Sequence, residues 1–309
     1  METRKLECFI AVARELHFGR AAATLHRNQS SVSEDVRSLE REIGGELFVR
    51  TSRRVALTDL GRSLLADVEP AVSALHVAMH NARRSARGEK SELILAYLGG
   101  GFYEFTAPIL AEFAQSRPDV TLTLVETDYL QQFDAVRSGV VDVALARLPV
   151  GLADLRRGAI LFQDQRMLVV PEGHRLAQSD LVDAEELRHE RMVQLPEGAG
   201  APVWEAYHFP RLTPHGAPIP RGPAIRTVRE GLSAVAAGGA VMTISARAQR
   251  YFQHPGVVFV SIDLPPIQSA LVSRAFDQRT VIRDLELASQ TVMARMAALV
   301  TRETTFVPA

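Results

Sequence analysis

The 309-residue chain has a single cysteine, Cys8, so no intrachain disulfide can form. No run of about 18 apolar residues is present, the length a helix needs to span a bilayer. The opening residues Met1-Glu2-Thr3-Arg4-Lys5 lead into an amphipathic pattern, with no continuous apolar core and no small-residue cleavage site. They do not read as a signal peptide. A cytoplasmic protein without membrane contact is expected. Charge of one sign is also lacking: Lys and Arg total 35, Asp and Glu 36, and the net charge is −1. Nucleic-acid binding must then be local rather than a property of the whole surface. The G-x-S-x-G, H-E-x-x-H, P-loop and C-x-x-C signatures are missing, and no pairing of His with Cys or Ser is recognisable. An enzyme is not expected.

What remains is an ordinary globular balance, 47% hydrophobic and 23% charged, long enough for two or three domains. Three regions are predicted. Residues 1–58 are helical and rich in Ala, Leu and Arg, and they end in a short hairpin, Phe48–Leu57. Residues 59–87 form one long helix whose Leu60, Leu64, Val68, Val72, Leu75, Met79, Ala82 and Ala86 make a narrow apolar stripe. Such a stripe seeks a partner helix and predicts a homodimer at least. Pro70 should kink or interrupt it. His76 and His80 lie four apart but lack a third ligand, so no metal is expected.

From residue 92, after the polar, glycine-bearing hinge Arg87-Gly88-Glu89-Lys90-Ser91, short strands alternate with helices. Leu93–Leu98, Val120–Val125, Val141–Ala146, Met167–Val170, Met192–Leu195, Ile225–Val228, Val235–Ala237, Val241–Ile244 and Val257–Ile262 read as strands, and the rhythm predicts parallel α/β sheets. Ligands of open α/β sheets bind beyond the strand ends. Those ends hold Gly99, Gly100, Gly101 and Phe102, then Thr127, Asp128 and Tyr129, then Arg147, Gly198 and Ala199, and Thr227 and Arg229. Arg147 can clamp a carboxylate, and the glycine run can offer backbone N–H groups. Phe102, Tyr103 and Trp204 can supply an aromatic wall. Gly198-Ala199-Gly200 lacks the third glycine of a dinucleotide loop. A small organic acid or aromatic effector is predicted, and no cofactor.

Residues 17–43 carry the strongest signal. Gly19–Leu25 forms a short helix with small Ala21, Ala22 and Ala23. His26-Arg27-Asn28 is a turn, and Asn28 is suited to cap the next helix. That helix buries Val32, Val36, Leu39 and Ile43 on one stripe. Ser30, Ser33, Glu34, Arg37 and Arg41 occupy the opposite face. This is a helix-turn-helix, whose second helix enters the major groove of double-stranded DNA. Gln29 can pair with adenine, and Glu34 can accept from cytosine. Arg20, Asn28, Ser30, Ser31, Ser33 and Arg37 complete the predicted surface, and Arg50, Arg53 and Arg54 form a basic wing. Glu34 and Asp35 place carboxylates where phosphates should repel them. Cys8 reads as structural.

Residues 1–65 resemble the LysR-type regulators. The resemblance is carried by Leu6-Glu7-Cys8-Phe9, Phe18-Gly19-Arg20-Ala21-Ala22, Gln29-Ser30-Ser31-Val32-Ser33, Leu39-Glu40, Gly44, Leu47-Phe48, Arg50-Thr51 and Leu57-Thr58-Asp59-Leu60-Gly61. Weaker similarity continues to about residue 300 through Pro118-Asp119-Val120, Val141-Asp142-Val143-Ala144 and Pro255-Gly256-Val257. The resemblance implies a mixed fold: an N-terminal winged helix-turn-helix, a linker helix, and a two-lobed domain of periplasmic-binding-protein type spanning 88–302. Lobe one would be 92–161 plus 268–302, and lobe two 162–267. It further implies a homotetramer, an effector held between the lobes, and RNA polymerase as a partner at promoters. Three positions depart from the family pattern. They are Glu34-Asp35 for basic or amide residues, Asn28 for serine, and Gly100-Gly101 near where relatives carry an effector-binding hydroxyl. A regulator needing no effector and a cytoplasmic solute-binding protein are the alternatives.

Overall fold

In the first 57 residues apolar side chains recur every three or four positions, and these segments fold as helices. They are α1 (Thr3–Glu15), α2 (Phe18–Thr24) and α3 (Gln29–Ile43), followed by the antiparallel hairpin β1 (Phe48–Arg50) and β2 (Val55–Leu57). The computed structural model describes residues 3–50, 55–86, 91–196 and 201–296. It divides into two units, Met1–Arg87 and Gly88–Ala309. In the first unit Phe9 and Val12 of α1, Ala21 and Ala22 of α2, Val32, Val36 and Leu39 of α3, and Leu47 and Phe48 share one core. Each large side chain buried there contributes roughly 1.5–3 kcal/mol. Gly44, in the left-handed conformation at φ 81°, ends α3.

Helix α4 (Asp59–Ala86) runs through Pro70 without interruption, correcting the break expected there. It forgoes the one backbone bond position 70 cannot donate. Gly61 fits its first turn against the hairpin: a Cβ there would lie 2.2 Å from the Leu47 carbonyl oxygen. The predicted dimer stripe is divided. Leu64, Val68 and Val72 pack into the unit's own core. Leu60, Leu75 and Met79 remain 42%, 43% and 47% exposed.

The second unit contains β3 (Ser91–Leu98), α5 (Thr106–Ser116), β4 (Val120–Thr127), α6 (Gln132–Arg137), β5 (Val143–Arg147) and β6 (Leu155–Asp164). It continues through β7 (Arg166–Pro171), β8 (Leu181–Val182), β9 (Met192–Gln194), α7 (Pro202–His208), β10 (Arg221–Ala224), α8 (Val228–Ala236) and β11 (Met242–Ser245). Strands β12 (Val257–Ile262) and β13 (Ile267–Arg274) and helix α9 (Thr280–Arg295) complete it. One sheet has the order β4-β3-β5-β13-β6 and defines lobe one. A second, β11-β7-β12-β8, with the pair β10-β9, defines lobe two.

The sheets are mixed rather than parallel. Strands β3, β4 and β5 are parallel, as βα units require. The chain leaves lobe one along β6 and returns along β13, and these strands pair with each other directly, so β13 runs antiparallel to both β6 and β5. In lobe two β7 is antiparallel to β11 and β12. The last strand before the first crossover ends at Asp164, three residues later than the expected end of lobe one. Two expected strands are not strands. Ile225–Val228 is the approach to α8, with Thr227 capping it, and Val235–Ala237 is its C-terminal turn. Three apolar residues fit a strand or a helix equally, and the capping residue decides.

Candidate nucleic-acid interface and ligand cleft

Helix α3 buries Val32, Val36 and Leu39, so its other faces are available to a partner. Asn28, Gln29, Ser30, Glu34 and Arg37 are exposed there, and Ser33 is half-buried. Asn28 occupies the N-cap with extended backbone, but its side chain makes no capping bond. The bare amide is left for a partner. Glu34 accepts from Arg41 Nη2 at 3.1 Å, which moderates its repulsion of phosphate.

Asp35 is a correction. It does not face a partner: it is buried, and Arg27 Nη1 lies 2.7 Å from its carboxylate, with Arg4 Nε at 3.5 Å. Burial pushes its pKa up, but the bonds from Arg27 and Cys8 and the charges of Arg27 and Arg4 more than reverse this and hold it below the usual range. Burial pushes the Cys8 thiol up to about 11, so it is an inert thiol at neutral pH. Ser31, predicted to meet DNA, accepts instead from Arg27 Nη2 at 2.5 Å. Arg27 thus joins the turn to α1 and to the start of α3.

The wing is tied to the same helix. Glu40 of α3 accepts from the Leu47 and Phe48 amides at 3.0 and 3.4 Å and from Arg50 Nη2 at 2.6 Å. The Arg50 guanidinium lies 4.9 Å from the Phe18 ring centroid. Arg50 is therefore partly spent inside the unit, as is Arg20, which pairs with Glu15 at 3.0 Å. Arg53 and Arg54 lie outside the described residues.

In the second unit a cavity of about 50 Å³ lies between the lobes, lined by Gly99, Gly100, Tyr103, Tyr129, Arg147, Trp204, His208, Phe209, Ser245 and Phe252 among others. Arg147 ends β5, where its Nη1 donates to Ser269 at 2.6 Å and its Nη2 to the Gly101 carbonyl at 3.2 Å. Asp142, at the other end of this segment, pairs with Arg274 and Arg279. The Tyr103 hydroxyl bonds Ser245 across the lobes at 2.9 Å. Gly100 has a steric reason. A Cβ there would stand 2.2 Å from the Tyr103 ring, so the tyrosine fills the space a side chain would need. Tyr129 has no hydrogen-bond partner for its hydroxyl among the described residues, and burial raises its pKa. His208 is depressed to about 3 by burial and by the charges of Arg166 and Arg147.

The lobes are closed over this cavity. Helix α7 reaches lobe one through Trp204 Nε1, which donates to the Arg147 carbonyl at 2.9 Å, and through His208 Nε2, 3.2 Å from the Leu148 carbonyl. Asp128 pairs with Arg226 at 3.0 Å. Glu104 of lobe one bonds Arg247, whose Nε also holds buried Asp164 at 3.0 Å, and accepts from the Tyr251 hydroxyl at 3.0 Å.

Residues 3–62 match the family model described as "Bacterial regulatory helix-turn-helix protein, lysR family", and residues 86–285 match the one described as "LysR substrate binding domain". The chain belongs to the LysR family. It is a transcriptional regulator with a DNA-binding helix-turn-helix unit. It is 32% identical over 203 residues to the regulator AlsR of Bacillus subtilis, covering 64% of this chain and 66% of AlsR. It is 30% identical over 297 residues to the regulator IlvR of Caulobacter vibrioides, covering 92% and 96%. The fold is that of CbnR, a solved LysR family regulator, with a TM-score of 0.57 at 22% identity over 95% of this chain and 99% of that one. CbnR solved with its target DNA gives a TM-score of 0.54 at 22% identity, covering 94% and 100%.

Within this LysR regulator, Gly99, Gly100, Tyr129 and Arg147 meet in the cavity. Phe102 is in the core instead, and the adjacent Tyr103 lines the cleft. Thr127 donates to the Tyr97 carbonyl, Asp128 caps the Leu130 and Gln131 amides, and Thr227 accepts from the Glu230 amide, so each serves the backbone. The Arg229 guanidinium lies 5.9 Å from the Phe252 ring centroid, beside the cavity rather than in it. Gly198 and Ala199 lie outside the described residues. His208, Phe209, Ser245 and Phe252 were not anticipated. They come from helix and strand ends far apart in sequence, and no local spacing marks them.

Proposed function

We propose that this LysR regulator binds a specific operator through the exposed face of α3 and the hairpin. A small organic effector between the lobes would set the strength or geometry of that binding. The observation that carries the reading is α3 itself. One face is packed, while Gln29, Ser30, Glu34 and Arg37 are presented together, the arrangement a major-groove helix needs. The division of lobe boundaries at the β6–β7 and β12–β13 crossovers, a homodimer through the exposed part of α4, a homotetramer, and RNA polymerase as a promoter partner belong to the same reading. So do a cytoplasmic location, the absence of catalysis and the absence of a cofactor. Among the described residues no helix is long and apolar enough to cross a membrane.

The convergence of Arg147, Tyr103 and Tyr129 on the cleft supports an effector there, which, with only about 50 Å³ between the lobes, acts by parting or resetting them, since bound molecules shift populations only through differential affinity. The same small volume favours the second reading, a regulator that needs no effector. A gel-shift titration on the DNA upstream of the gene, at several salt concentrations, tests the proposal. Wild type should retard this DNA against competitor, and Ser33→Ala combined with Arg37→Ala should lose the retardation. Binding that is sequence-blind would overturn it.

A further inference from the structure

Arg166 opens β7 at the first crossover between the lobes, and it is 2% exposed. Its Nη1 donates to the Tyr207 carbonyl at 2.8 Å, and the guanidinium lies 4.5 Å from the Tyr207 ring centroid. Its Nε and Nη2 are buried and have no partner among the described residues. No carboxylate pairs with it among the described residues. Asp164, two residues earlier, gives one oxygen to Arg247 and makes no bond to Arg166.

A guanidinium does not shed its proton in a protein. Burial of an unpaired charge is costly enough that native structures nearly always supply a counter-charge. Here the neighbours define where one can come from. Ser245, the cross-strand partner of Arg166, and His208, the residue after Tyr207, both line the cavity between the lobes. The layer over Arg166 is the end of α7, held to lobe one by Trp204 and His208 and to the second crossover by the Tyr207 hydroxyl, which donates to the Pro266 carbonyl at 2.8 Å. Tyr207 and Arg166 belong to the same lobe, so releasing α7 from lobe one frees the end of this helix to shift on its own lobe, and that shift uncovers the two unused N–H groups.

We propose that Arg166 is an anion site behind the cleft wall formed by Ser245 and His208, and that it takes a carboxylate of the effector when the end of α7 shifts away. This rests on the effector reading above and adds to it the charge class of the ligand and a second guanidinium behind Arg147.

The test is thermal unfolding of the full chain in sodium acetate, the smallest carboxylate, against sodium fluoride at equal ionic strength. Wild type, Arg166→Met, Arg166→Lys and Arg147→Met are compared. Acetate should raise the melting temperature of the second unit saturably at millimolar concentration. Arg166→Met should lose this shift, and Arg166→Lys should keep part of it. Without acetate, Arg166→Met should melt at or above the wild-type temperature, because it removes an unpaired charge. A full acetate shift in Arg166→Met, or a variant that melts several degrees lower or fails to fold, overturns the site. A shift lost in Arg147→Met but kept in Arg166→Met also overturns it and leaves the cleft reading standing. No acetate shift in wild type overturns it too, and promoter-DNA binding then decides the regulator reading separately.

Discussion

Acid should weaken the second unit through one buried imidazole. His208 is packed against Trp204, with ring centroids 4.6 Å apart, and its Nε2 lies 3.2 Å from the Leu148 carbonyl. Burial, then the charges of Arg166 and Arg147, hold its pKa at about 3 against an ordinary 6.5. The folded protein therefore stays neutral at this site while the unfolded chain takes up a proton. Its contribution is fully present above pH 6.5 and is lost as the pH falls toward 3. From the linkage relation, the loss between pH 8 and pH 5 is about 2 kcal/mol, which is roughly 4–8 °C in melting temperature for a unit of this size. His208→Gln removes the titration while keeping a donor. Calorimetry of the full chain should then show the wild-type transition of the second unit falling faster with acid than the variant's. Parallel pH profiles would refute the reasoning, because every other titrating group is common to both proteins.

Asp35→Asn should cost about 3 kcal/mol, the scale for breaking a buried pair and leaving one charge behind. It should also weaken operator binding, because Arg27 then no longer fixes Ser31; denaturant melts and gel shifts read the two effects. The stabilisation from this depressed carboxylate should be present above its unfolded pKa and lost as acid protonates it, so Asp35→Asn should flatten the first unit's melting profile at low pH. Gly100→Ser should displace the Tyr103 ring and its bond to Ser245, costing about 1–3 kcal/mol, visible in thermal melts. Leu75→Glu with Met79→Glu should raise the self-dissociation constant at least about tenfold, one lost apolar burial, by sedimentation equilibrium; an unchanged constant would remove α4 as the seam.

The helix-turn-helix was legible because its information is local. A buried stripe at helical spacing, small residues at the helix contact and a turn lie within residues 17–43. What was not legible is how polar groups are spent. Glu34-Asp35 look alike in sequence, yet Asp35 points inward because position 35 falls beside Val32 and Val36 on the buried side, where Arg27 reaches it. The cleft followed the same pattern. Strand ends gave Gly99, Gly100 and Arg147, but Thr127, Asp128 and Thr227 cap backbone, as short polar residues at strand and helix ends often do. Strands β6 and β13 escaped notice because their apolar pattern is broken by arginine and glutamine. Without them the antiparallel return through lobe one was invisible.

The most direct test of the account is the binding isotherm of the full chain on its operator and on scrambled DNA, across a salt series, for wild type, Gln29→Ala and Arg37→Ala. Gln29→Ala should lose about 1–3 kcal/mol of discrimination at one base position. Arg37→Ala should weaken binding to both DNAs alike and lower the salt slope by about one. If both variants bind both DNAs as wild type does, α3 is not the reading helix, and the central claim fails.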